Sequence, residues 1–125
     1  MDKIALISGA IFGMSAVIFG AFGAHLLKKK LNTDQLQSFE TGVKYQMYHA
    51  IVLLILGFQL NDQIAIDNYI INFFIIGIIL FSFSIYGLVL SSANHKKIRF
   101  LGPITPLGGL CLVLGWGLLI YKFAA

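Results

Sequence analysis

Four long runs of apolar residues, each interrupted by a short polar or charged stretch, organise this chain. The first extends from Ile4 to Leu27 and stops at Lys28, Lys29 and Lys30. At about 24 residues it exceeds the apolar core of a secretory signal and matches the ~20 residues that span a bilayer as a helix, so it reads as a retained transmembrane segment. Asn32-Thr33 then offers a helix N-cap, and Leu36, Phe39 and Val43 recur at helical spacing among Asp34, Gln35, Gln37, Ser38 and Glu40. That mixture predicts a short amphipathic segment in the headgroup layer, with Gly42 as the bend into the membrane. The remaining helices are expected over about residues 43–60, 69–90 and 104–121. Asn61-Asp62-Gln63 and an acidic loop holding Asp67 separate the second from the third. A basic stretch with His95, Lys96, Lys97 and Arg99 separates the third from the fourth. Thr105 is placed to cap the last helix, with Pro106 in its first turn. The fold expected is a single all-α membrane domain, a compact four-helix bundle over residues 1–125.

Small residues sharpen that picture. Gly9, Gly13, Ala16, Gly20 and Gly23 alternate steps of four and three along the first helix. Gly77, Ser84 and Ser91 keep a seven-residue step in the third, and Gly108, Cys111 and Gly115 form a stripe in the fourth. Lipid tails are as apolar as leucine, so membrane helices associate through close packing, which small side chains permit. These stripes predict a tight left-handed bundle, with self-association as another use for one of them.

Composition removes the soluble alternatives. Of 125 residues, 58% are hydrophobic and only 11% charged, against roughly a quarter charged in soluble domains. Mean hydropathy is +0.88. No soluble catalytic module fits beside the helices. The net charge of +4 does not point to nucleic acid, because the cations cluster in connections between apolar runs. Seven of nine lie in the first and third connections or beside them: Lys28, Lys29, Lys30, Lys44, Lys96, Lys97 and Arg99. Lys3 and Lys122 lie on the other side. Cations concentrate on the cytoplasmic face, which predicts a plasma-membrane protein with both termini outside. Membrane lipids are the expected partners, with other membrane proteins or a second copy beside them. The single cysteine, Cys111, reads as a small packing residue.

Polar residues at membrane depth are functional candidates because burying them is costly. One cluster qualifies: His25, Glu40, Tyr45, Gln46 and His49, near one end of the first two helices. Two imidazoles and a carboxylate are ligands for a metal, and facing histidines in a bundle can hold haem. A quinone or lipid headgroup would suit the same polar pocket. The competing and favoured reading is that these groups hydrogen-bond across the contact between the two helices. No His-xxx-His or Glu-x-x-His pair supports a metal. Ser82, Ser84 and Tyr86 in the third helix have no neighbouring acid or base, and serines in such helices usually bond the preceding turn. Tyr69, Trp116 and Tyr121 read as interface anchors. The expectation is a non-enzymatic protein without a cofactor.

Three stretches carry a family resemblance. Gly20-Ala21-Phe22-Gly23-Ala24-His25 resembles the first motif of the YgdD-like membrane proteins, a family known as domain of unknown function 423. Thr41-Gly42-Val43-Lys44-Tyr45-Gln46-Met47-Tyr48-His49-Ala50 is similar to its second motif. Leu101-Gly102-Pro103-Ile104-Thr105-Pro106-Leu107-Gly108-Gly109 with Gly115-Trp116 resembles its last. In the third helix the family pattern resembles Phe-Ser-Gly-Ser-x-Tyr, and Phe83 stands here in place of the glycine. The resemblance implies four helices in a bacterial plasma membrane or a mitochondrial one. For some Gram-positive members it implies a part in membrane stability, without a role for any residue.

Overall fold

The computed structural model describes residues 1–125, the side chain of Ala24 excepted. Four long helices make up the chain: α1 (Lys3–Leu27), α2 (Thr33–Gln59), α3 (Ala65–Ala93) and α4 (Ile104–Ala124), the last preceded by a short turn at Arg99–Leu101. Three of the four, α1, α3 and α4 with its preceding turn, are long and apolar enough to cross a membrane. The exception, α2, carries Lys44, Gln46 and His49 in its middle, which lowers its apolar character.

Local chemistry sets the ends of these helices. The Asp2 carboxylate accepts the Ala5 N–H at 3.0 Å, so α1 starts on a side-chain cap. Asn32 and Gln35 form a reciprocal capping box at the start of α2, each side chain bonding the other's backbone N–H at 2.8 and 3.1 Å. After Asn94, His95 adopts φ 60°. The His95 N–H then reaches Ser92 O at 3.1 Å and the Lys96 N–H reaches Ser91 O at 2.9 Å, which closes α3 with the paired bonds of a left-handed C-terminal cap.

The sequence placed several boundaries differently. The amphipathic segment is no separate element: it forms the first turns of α2, which continues through Gly42 without a bend. The capping box starts the helix early, and Gly42 is helical because its missing side chain lets a tyrosine close in from α3. Asp67 lies in the first turn of α3, buried, and not in a loop. Thr105 does not cap α4; the position belongs to Pro103, and the Thr105 hydroxyl is engaged by Ser84.

Core positions of α2 step by three and four: Phe39, Gly42, Gln46, His49, Leu53, Leu56 and Leu60 are all buried. This is the seam of a helix packed lengthwise on neighbours, and two polar residues stand in its centre. Along α1 the seam is Asp2, Ala5, Gly9, Phe12 and Ala16; along α4 it is Gly108, Leu112, Gly115 and Leu119. Leu112 thus takes the place that sequence spacing assigned to Cys111, which is half-buried. The outward faces of α1 and α4, with Ile4, Ile7, Ile11, Leu110, Val113 and Ile120, are apolar and exposed.

The helices pack in pairs. α1 lies along α2 and α4 along α3, while α2 and α3 join the two pairs. Among the described residues, no Cα of α4 approaches α1 or α2 within 8 Å. The bundle is therefore open on one flank, with a groove between α2 and α4 floored by α3.

Both α1 and α3 contain a π-helical turn, at Phe19–Gly23 and Ile79–Phe83. A π turn holds one extra residue and re-aims the side chains beyond it. Both lie beside the same stretch of α2: Gly20 and Gly23 approach Val43 and Phe39, and Ser82 bonds Gly42.

Glycines set the closest approaches. A Cβ at Gly9 would lie 2.9 Å from Ala50 O, and one at Gly108 would lie 2.3 Å from Phe81 N. Gly13, Gly20 and Gly23 also face α2. Gly77 faces Leu112 and Gly115 faces the Phe74 ring, across the α3–α4 contact. At Gly117 a Cβ would meet nothing within 4 Å. Gly108→Ala should therefore cost about 1–3 kcal/mol through overpacking against backbone that cannot step aside. Gly117→Ala should be neutral, or stabilising by up to about 1 kcal/mol through helix propensity. Thermal unfolding of the two variants in detergent, followed by circular dichroism, checks the contrast.

Candidate functional site

Gln46, on the seam of α2, is fully buried. Its Nε2 donates to Phe12 O at 2.9 Å and to the Ser15 hydroxyl at 2.7 Å, both on α1. Its Oε1 accepts the Tyr86 hydroxyl of α3 at 2.7 Å. The Phe12 carbonyl can only accept, so the amide nitrogen must face α1. The oxygen then faces Tyr86, and that hydroxyl must donate. One side chain ties three helices together. The Ser15 hydroxyl in turn donates to Ile11 O at 2.9 Å.

Around this amide the packing is aromatic. The Tyr86 ring stands edge-on to Phe19 at 5.3 Å and packs against Phe39 at 5.1 Å and Phe83 at 5.7 Å between centroids. A Cβ at Gly42 would fall 2.8 Å from the Tyr86 ring, so Gly42 is what admits Tyr86 to Gln46. One turn away, Ser82 donates to Gly42 O at 2.7 Å. This serine crosses between helices instead of bonding the preceding turn, because the π turn brings it round to face α2. Phe83, the departure from the family pattern, packs between Tyr86 and Phe12, 6.3 Å from the latter.

His49 continues the line one turn further along α2. Its Nδ1 lies 2.8 Å from Tyr45 O, and its Nε2 lies 3.1 Å from Nε1 of Trp116 on α4. An indole N–H can only donate and a carbonyl only accept. The ring is therefore neutral, with its proton on Nδ1. Trp116 is half-exposed and serves as a crossing strut between α2 and α4, beyond the interface-anchor role expected from sequence. Ser84 and Thr105 share a 2.6 Å hydroxyl bond between α3 and α4.

Ionic pairing closes one end of the bundle. Asp67, buried, bonds the Lys122 ammonium and accepts the Asn61 N–H at 2.9 Å. The Asp2 N–H donates to Gly57 O at 2.7 Å. The start of α1, the end of α2, the start of α3 and the end of α4 thus meet at the same end. Among the described residues, no buried side-chain nitrogen or oxygen lacks a partner.

The residues expected from sequence to share one pocket divide into two groups. Gln46 and His49 are buried and bonded. His25 and Glu40 are exposed, and Tyr45 is half-exposed, stacked on Phe81 at 5.1 Å. His25 follows the π turn of α1, beyond Gly23, which faces Phe39 and not the His49 stretch of α2. Among the described residues, no three His, Cys, Asp or Glu side chains converge as a metal requires. Sequence reasoning missed Ser15, Tyr86 as partner of Gln46, Trp116 as partner of His49, and the Asp67–Lys122 pair. Lys122 stands seven residues beyond Gly115 on the α4 stripe; Ser15, Tyr86 and Trp116 stand off the small-residue stripes, so spacing gives no signal for them.

These residues can be set against known proteins. Residues 19–109 match the model of a family described as "protein of unknown function (DUF423)". The chain belongs to this family. Among DUF423 relatives, the UPF0382 membrane protein SAB0533 of Staphylococcus aureus is 42% identical over 125 residues, covering 98% of each chain. The UPF0382 membrane protein SSP2132 of Staphylococcus saprophyticus is 39% identical over 118 residues, 94% of each. The UPF0382 membrane protein YwdK of Bacillus subtilis is 38% identical over 120 residues, again 94% of each. No solved structure matches the chain. Like these relatives it is a membrane protein, and the DUF423 family has no assigned function. The stretches that resemble the family's motifs hold most of the bonded polar groups: Gly42, Gln46 and His49 in one, Ser82, Ser84 and Tyr86 in another, Thr105 and Trp116 in the last.

Replacing His49 by Phe should free the Trp116 indole N–H at a stability cost of about 1 kcal/mol. Trp116 is the only tryptophan, so its indole N–H resonance reports directly. It should move upfield and exchange faster with solvent deuterium; an unchanged resonance would exclude the His49–Trp116 bond.

Proposed function

We propose that the chain is a four-span plasma-membrane protein without enzymatic activity, whose polar side chains hold its own helices together and which supports membrane integrity or docks other membrane proteins. Both termini and the Asn61–Ile64 turn lie outside, and the connections with Lys28–Lys30 and Lys96–Arg99 lie in the cytoplasm.

The observation that carries this reading is the full internal pairing of the buried polar groups. Gln46, Tyr86 and Ser82 spend their hydrogen-bonding capacity on another helix, and His49 divides its own between Tyr45 O of α2 and Trp116 of α4, which leaves no acid–base pair or vacant ligand set at that site. Such pairing also reconciles α2 with a bilayer. A 27-residue helix is about 40 Å long against a ~30 Å hydrocarbon core, and α2 lies antiparallel along α1. If α1 crosses, its partner crosses with it. The basic residues then fall at the end that the positive-inside rule assigns to the cytoplasm. A pocket for a metal, haem, quinone or headgroup at His25, Gln46 and His49 has weaker support, since His25 is exposed.

Single cysteines at positions 29, 62, 97 and 125, placed in a Cys111→Ala background, test the arrangement. In intact cells a membrane-impermeant maleimide should label positions 62 and 125 and spare 29 and 97 until permeabilisation. Labelling of 29 and 62 from the same side would remove α2 as a span. Cells lacking the protein should admit more of an excluded dye, and unchanged permeability would count against support of the membrane.

A further inference from the structure

Among the described residues, a single direct hydrogen bond crosses the flank between α2 and α4, from Trp116 to His49. This strut separates two clefts. One, of about 500 Å³, lies toward the Asp67–Lys122 end and is lined almost wholly by apolar side chains. The other, of about 450 Å³, lies at the opposite, basic end and differs in character. Its floor is apolar, with Ile85 and Val89 of α3. Its rim carries Asp34 and Ser38 of α2, Ser92 of α3 and Lys97 of the following turn. Asp34 and Lys97 are both exposed, and neither forms an ion pair among the described residues.

We propose that this cleft is a binding site for a phospholipid with a zwitterionic headgroup ending in a primary ammonium. The chemistry on the rim is the complement of that headgroup: a cation for the phosphate, a carboxylate for the ammonium, and two serine hydroxyls that can donate to the phosphate and glycerol-ester oxygens. The volume over Ile85 and Val89 receives the upper part of an acyl chain, and the cleft opens sideways toward the lipid. An anionic headgroup would satisfy Lys97 and leave Asp34 facing negative charge. A trimethylated headgroup would satisfy Lys97 but give Asp34 no N–H to accept.

The inference rests on the bundle lying in a bilayer with its basic end at a headgroup layer, and its test is separate from the labelling experiment. Native mass spectrometry of the full chain, released from detergent with equal amounts of palmitoyl-oleoyl phosphatidylethanolamine, phosphatidylcholine and phosphatidylglycerol, reads the bound lipid directly. Phosphatidylethanolamine should be retained about fivefold over each of the others, the ratio expected of one exposed ionic contact. Asp34→Asn should erase the preference over phosphatidylcholine. Lys97→Gln should lower retention of both about fivefold, and Lys28→Gln, away from the cleft, should change neither. Val89→Trp, which fills the floor, should abolish retention with helical content unchanged. Equal retention of the three lipids, preference for phosphatidylglycerol, or indifference to both rim substitutions would overturn the assignment. So would a second copy found in the cleft by cross-linking from position 97. If the maleimide pattern stands and the lipid pattern fails, only this site falls.

Discussion

A primary amide buried in the middle of a membrane-inserted bundle must find all its partners within the protein, because neither lipid nor bulk water can supply them. Gln46 meets that demand by reaching α1 and α3 simultaneously, and much of the structure is arranged around it. Gly42 has no side chain, so the Tyr86 ring can approach. The two π turns bring Gly20, Gly23 and Ser82 against the same segment of α2. Aromatic rings of α1, α2 and α3 fill the space round the amide. Hydrogen bonds between membrane helices are individually modest, about 0.6 kcal/mol on average. Their effect here is to fix register and orientation, while dispersion between closely packed backbones supplies the larger part of the cohesion.

Much of the fold is legible in the chain because the bilayer imposes a simple rule. Apolar runs of spanning length, broken by Lys28–Lys30, by Asn61–Gln63 and by the basic stretch to Arg99, announce four helices. Glycines at steps of three and four indicate which faces approach. What could not be read is what crosses between helices. The sequence places Gln46 and His49 together on α2, but their partners lie 31, 34, 40 and 67 positions away, and no local period encodes those distances. The π turns escape for a related reason, since an extra residue in one turn leaves no compositional mark. The apolar pattern sets His25 and His49 near the same end of neighbouring helices, but Gly13 faces Ala50 and Gly23 faces Phe39, so His25 lies well along α2 from His49. Asn61, Asp62 and Gln63 before it give Asp67 the look of a loop carboxylate, whereas α3 begins at Ala65 and Lys122 supplies its counter-charge.

The packing is unequal in a way that bears on function. α1 and α4 are flanking helices, each close to one main partner, and the surface between α2 and α4 stays open apart from the Trp116–His49 strut. Saturated polar pairing inside and an open cleft at each end of this flank divide the molecule's tasks. The interior is committed to holding the bundle, and contact with the surroundings falls to the clefts and the outward apolar faces. Members of a family that share these motif stretches would be expected to share the internal pairing first.

The central claim is that the Gln46–Tyr86 bond is a real coupling between α2 and α3. A double-mutant cycle with Gln46→Leu and Tyr86→Phe, measured by reversible unfolding in detergent, tests it most directly. The account predicts that the double variant loses less stability than the two single variants combined, with a coupling energy of about 0.5–1.5 kcal/mol. Strict additivity, with no coupling beyond measurement error, would contradict it.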